Sequence, residues 1–207
     1  MEAKVIKSEK MLMAMDSMYS QLINGLPGQL NIYQLADDYR SKYKNNEEAI
    51  DKIIKWHTTQ ATVTGAVTGL GGVLTLPISL PADLVGCLAI QLRMIGAIAV
   101  LRGYDLSDDK VRTLAFVCLV GSSANDLLKE TGLKVGLKMT EKLIEKIPGK
   151  ILIKINQKVG FRLVTKGGSK GMINLTKMIP LVGSPISGGF NFVETKAVAK
   201  AAKDTFV

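Results

Sequence analysis

Few side chains in this sequence could carry chemistry, and their spacing removes most of what they could do. There is one histidine, His57, and two cysteines, Cys87 and Cys118, each set inside an apolar run. A zinc finger or a disulfide scaffold needs closely spaced ligands or paired thiols, so neither fits, and no metal site is expected. A Ser-His-Asp arrangement would have to use His57, which follows Trp56 at the greasy end of a helical pattern and reads as an interfacial histidine. The phosphate-loop pattern (GxxxxGK followed by Ser or Thr) and the dinucleotide pattern GxGxxG are absent; Gly69-Leu70-Gly71-Gly72 lacks a preceding strand and a third glycine. Gly183-Ser184-Pro185-Ile186-Ser187-Gly188 has the wrong spacing for a nucleophile elbow, and Gly121-Ser122-Ser123-Ala124 lacks its second glycine. Asp108-Asp109 reads as the first turn of a helix. With no catalytic residues to assign, the chain reads as non-enzymatic and free of cofactors.

The elements that would position any site are helices. Hydrophobic residues are 47% of the 207 and charged ones 22%, which excludes disorder and leaves a core large enough for one domain or two very small ones. Leu12, Met15, Tyr19, Leu22 and Ile23 recur at helical spacing up to the turns at Asn24-Gly25 and Pro27-Gly28. A second helix fits Ile32 to Tyr43. Asn46 is placed to cap a third, with Glu47 and Glu48 in its first turn. Residues 1–45 are therefore set apart as N-terminal helices ahead of a helical domain over 46–207, the two forming one continuous fold.

Trp56 to Ala82 is an uncharged stretch of 27 residues, long enough for a bilayer, but it is rich in Thr and Gly and is cut by Pro77 and Pro81. The next apolar run, Leu84 to Leu101, has Arg93 at its centre, which is costly in a lipid-facing helix. Close helix packing is the better reading, with Gly65, Gly69 and Gly72 as a small-residue face. Asp83 and Arg93 then form part of a buried polar set, with Asn125, Asp126 or Asn191 as candidate partners, because a lone buried charge is costly. Asp105 or Ser107 caps a helix running to Asp126, and Gly132, Pro148-Gly149, Gly167-Gly168 and Pro180 divide the rest. The expected class is all-α, a single compact bundle of eight or nine helices with a Gly-rich central helix.

Charge is distributed unevenly. The chain has net charge +9, and residues 128–207 hold fifteen basic residues against five acidic ones, while the preceding part is near neutral. Ten basic residues share one register of four: Lys134, Lys138, Lys142, Lys146, Lys150, Lys154, Lys158, Arg162, Lys166 and Lys170. Each of the first eight is followed by an apolar residue. A step of four drifts by about 40° around a helix, so the ladder reads as two basic amphipathic helices in series, broken at Pro148-Gly149. Only Glu130, Glu141 and Glu145 offer counter-charge nearby. The segment has one aromatic, Phe161, and nine lysines to one arginine in the register, which argues against nucleic acid. The ladder is assigned instead to an anionic membrane surface or amphiphile. The start, MEAKVIKSEK, is not followed by an apolar block of signal-peptide type, so a cytoplasmic location is expected, peripheral at the inner face of the membrane.

Several segments carry a family resemblance: Ala61 to Gly72, Leu76-Pro77, Leu80-Pro81-Ala82-Asp83-Leu84, Leu92 to Ala99, Gly103-Tyr104-Asp105, Ile179-Pro180-Leu181-Val182-Gly183, and Gly188-Gly189-Phe190-Asn191. In this order and spacing, over residues 45–205, the chain resembles the EcsC protein family. The resemblance implies a bacterial, helical, hydrophobic protein of a family named after a gene beside an ABC exporter, and brings no activity with it. The leading expectation is a membrane-surface-associated protein that binds lipid or another amphiphile through its basic face. An interaction or immunity module for a membrane protein or toxin is the alternative, and a hydrolase acting on a lipid-like substrate is a third.

Overall fold

Glycines end several helices because the chain must turn there through the left-handed region. Gly25 and Gly103 follow the first and central helices with φ of 95° and 90°, angles that cost a residue with a Cβ but not glycine. The computed structural model describes residues 8–62, 74–77, 80, 82–133, 137–167 and 186–207; of these, the side chains of Thr62, Ala82, Asp83, Lys166, Gly167 and residues 186–191 are outside the description. The Gly65, Gly69 and Gly72 face, Lys134 and Lys170, and the side chains of Asp83, Lys166 and Asn191 therefore lie outside the described residues.

The described residues form nine α-helices: α1 (Ser8–Asn24), α2 (Ile32–Lys42), α3 (Asn46–Thr62), α4 (Ala82–Leu101), α5 (Asp109–Cys118), α6 (Ala124–Glu130), α7 (Glu141–Glu145), α8 (Gly149–Gly167) and α9 (Ile186–Thr205). The fold is all-α. The single β-type pairing among them is a bridge between Met139 and Phe206. Helix α4 is the centre, packed by α2, α3 and α9 and touched by α1 and α5. It is the one described helix long and apolar enough to cross a membrane, but 83% of its Leu84–Leu101 stretch is buried inside the protein. Its apolar surface faces other helices, so the composition that could satisfy lipid here satisfies protein.

Local signals differ from the sequence reading at three places. The cap of α3 is Asn45, whose side chain accepts from Glu48 N at 2.9 Å; Asn46 is released to donate its Nδ2 to Leu101 O at 2.7 Å, tying α3 to the end of α4. Asp108, not Asp105 or Ser107, caps α5, accepting from Lys110 N at 2.6 Å. Asp105 instead holds its own turn, accepting from Ser107 N and Oγ at 2.8 and 2.7 Å. The helix expected to reach Asp126 stops at Cys118 and resumes at Ala124 after a 3-10 turn, Gly121–Ser123, in which Gly121 takes φ 60°.

Two close approaches lock helices together. A Cβ on Gly160 of α8 would stand 2.7 Å from Ser8 O and 3.0 Å from Leu12 Cγ of α1, and one on Gly96 of α4 would stand 2.9 Å from Ile32 Cδ1 of α2.

Candidate functional site

The basic register is not a pair of long helices. Its first half is mostly loop, with Lys138 beside the Met139 bridge, Lys142 in the five-residue α7 and Lys146 at that helix's end. Only from Gly149 does a long helix form. Lys138, Lys142, Lys146, Lys150 and Lys154 are all exposed, and none is within salt-bridge reach of a described carboxylate.

Drift around α8 separates the remaining rungs. Ile155, Val159 and Leu163 are buried and define the core face. Taking Lys150 as the reference direction, Lys154 lies about 40° away, Lys158 about 80° and Arg162 about 120°. The register thus starts pointing to solvent and ends on the flank. There Lys158 Nζ meets Glu130 Oε2 at 2.8 Å, Arg162 Nη2 meets Glu130 Oε1 at 2.7 Å, and Arg162 Nη1 donates to Ser123 O at 3.0 Å. The hydrogen bond from Lys158, with the charge of Arg162 behind it, holds the Glu130 carboxyl below its usual pKa. These two rungs fasten α8 to α6, and their charge is partly spent.

Two large apolar side chains share the outward face. Ile153 is 60% exposed and Phe161 64% exposed. On the helix wheel Phe161 falls about 20° from both Lys150 and Lys154, and Ile153 about 60° to the other side of Lys150. Gln157 and Thr165, also exposed, complete the wedge. No acidic residue occurs anywhere in α8. In the sequence Phe161 stands out as the segment's lone aromatic, but its place among the lysines is not legible there, because which apolar band faces the core is decided by α1 and α5.

Of the expected buried polar set, Arg93 is the member whose side chain lies among the described residues. Arg93 is buried as predicted, but its bond goes to Gln29 Oε1 in the turn between α1 and α2, at a long 3.5 Å, rather than to Asn125 or Asp126. Burial pushes the guanidinium below its ordinary pKa. His57 is not interfacial. It is fully buried, with Nδ1 at 2.8 Å from Ile53 O, and its pKa is lowered to about 4, first by burial and then by the charge of Arg93, against the pull of the Ile53 carbonyl. Donation to Ile53 O makes Nε2 the unprotonated nitrogen, and it has no hydrogen-bond partner among the described residues. Arg102 to Glu47 at 2.7 Å sets α3 antiparallel to α4, which brings His57, ten residues on, about level with Gln91. Gln91 is also fully buried and donates its Nε2 to Thr195 Oγ1 of α9 at 3.2 Å.

An acidic cleft of about 210 Å³ is lined by Tyr104, Asp105, Asp108, Val111, Glu141, Ile144 and Glu145. Asp108 is engaged as the cap of α5 and Asp105 in its own turn, and among the described residues no group of three or more His, Cys, Asp or Glu side chains is placed to hold a metal.

The molecule is thus an all-α protein wrapped on a buried apolar helix, with an unpaired basic and apolar face on α8 and no assembled catalytic group among its described residues. The family model of the EcsC protein family matches residues 4–207, and the chain belongs to that family; the match extends over the N-terminal helices, beyond the segments that carried the resemblance. Among curated proteins, the uncharacterized protein YdbA of Bacillus subtilis (strain 168) is 38% identical over 88 residues, 42% of this chain. That match spans 31% of YdbA, about a third of its length. No solved structure matches.

Proposed function

We propose that this protein is a membrane-surface-associated, non-enzymatic helical protein that docks on anionic lipid or a comparable amphiphile through its basic segment. One observation carries this reading: Lys138, Lys142, Lys146, Lys150 and Lys154 are exposed cations without a described acid partner, in a part of the chain that holds most of the net positive charge. Lysines kept for fold stability are usually interleaved with acids, as Lys158 and Arg162 are with Glu130. Each free cation brought near an anionic leaflet contributes about 1 kcal/mol, so a few together hold a protein at a surface. Burial of α4 supports a peripheral mode of attachment.

Co-sedimentation with vesicles tests it. Binding to phosphatidylcholine vesicles containing phosphatidylserine should fall steeply from low to physiological salt, where screening shortens to about 8 Å, and pure phosphatidylcholine vesicles should bind weakly. Replacing Lys142, Lys146, Lys150 and Lys154 together with Gln should remove most of the binding, about a hundredfold or more on the same scale. Replacing Lys158 and Arg162 should cost less per residue because Glu130 already offsets them. Full retention of binding by the fourfold variant would overturn the reading.

A further inference from the structure

We infer that α8 is a partially inserting anchor: it lies along the bilayer surface with Ile153 and Phe161 entering the acyl boundary while Lys150 and Lys154 reach back to the headgroups. This rests on the membrane-surface reading and deepens it, since a field of charge alone needs no apolar residue. The two side chains are 60% and 64% exposed on a helix whose other large apolar residues are buried or half-buried. They stand eight residues apart, about 12 Å along the axis, and both point away from the Ile155, Val159 and Leu163 face. Two contacts at that spacing align a helix axis with a flat surface, where one would leave it free to tilt.

Charge complementarity selects the occupant. The outward wedge alternates apolar and basic groups with no carboxylate on the entire helix. A protein groove that accepted Phe161 would need to place acids at Lys150 and Lys154 individually, whereas an anionic bilayer supplies negative charge and an apolar layer together over the whole length. The aliphatic stems of Lys150 and Lys154 can follow the apolar residues inward while their ammonium groups stay wet. At the edge of the wedge, about 20° from Ile153 on the wheel, Gly160 packs closely on Ser8 O and Leu12 of α1, so α1 borders the anchor on that side.

The test uses the full chain. Trp56 is the protein's one tryptophan and is 45% exposed, so it is first replaced by Trp56→Phe to silence it. Phe161→Trp and, separately, Ile153→Trp are then added, and emission is read with phosphatidylcholine and phosphatidylserine vesicles carrying brominated acyl chains. A blue shift and strong bromine quenching are expected at both positions. A second pair, Phe161→Ser and Ile153→Ser, removes exposed side chains and should leave the melting temperature nearly unchanged. Binding that survives high salt should fall by about tenfold or more for Phe161→Ser, with the salt-sensitive part little altered. Vesicle binding without quenching at either indole, or unchanged high-salt binding of the Ser variants, would overturn insertion and leave surface charge intact. No vesicle binding by the parent protein would overturn both readings.

Discussion

His57 is the one histidine and is held neutral inside the protein, which ties stability to pH. The unfolded chain takes up the imidazole proton near pH 6.5, while the folded protein refuses it until about pH 4. Stability from the buried neutral ring is therefore complete above 6.5 and is lost as the pH falls toward 4, at about 1.4 kcal/mol per unit. Wild-type protein should lose about 3 kcal/mol more than His57→Gln across that window, measured by urea unfolding; parallel losses in the two proteins would show that the ring is solvated. Arg93 acts in the same direction, since its charge further disfavours the imidazolium. That histidine was misplaced from sequence because Trp56 and His57 are neighbours on one helix, and only packing against α4 and α9 decides that Trp56 faces out and His57 in.

At the scale of helices, the two glycine contacts should respond differently to an added methyl. Alanine at Gly160 gains about 1 kcal/mol of helix propensity but meets a backbone oxygen at 2.7 Å, and relieving that overlap moves α1. Gly160→Ala should lower stability by about 1–2 kcal/mol net in chemical denaturation. At Gly96 the obstacle is the buried Ile32 side chain, with Cδ1 at 2.9 Å and Cγ2 at 3.0 Å, which can give more readily than backbone, so Gly96→Ala should cost less than Gly160→Ala. Equal losses at the two sites would show that backbone contact is not what distinguishes them. Element boundaries were legible in the sequence where one residue decides them alone, as at Gly25 and Gly103. They were obscured where two candidates compete. Asn45 and Asn46 are chemically identical caps, and the pull of Leu101 O on Asn46 settles the choice. Likewise the four-residue register and its drift were plain, but which rungs of α8 stay in solvent, and the short α7 in place of a long helix, follow from which side packs on α1, α5 and α6.

For the molecule as a whole, Glu130 limits the reach of the basic segment by drawing in Lys158 and Arg162. Glu130→Gln releases both and raises the formal net charge by one from +9. Exposed pairs of this kind contribute at most about 1 kcal/mol each to stability, so the fold should survive. Binding to vesicles containing phosphatidylserine should tighten by several-fold at low salt; unchanged binding would mean that the flank of α8 does not face the lipid. The order of assembly has its own consequence. Helix α1 keeps Met11, Met15 and Met18 buried, and much of its packing is against α8, which is made more than a hundred residues later. At ribosomal speeds of about 5–20 residues per second, the side of α1 that packs on α8 waits on the order of seven to thirty seconds for its partner. During synthesis the N-terminal helices are thus an incomplete half, open to any apolar surface the cell offers, until translation delivers the helix that closes them.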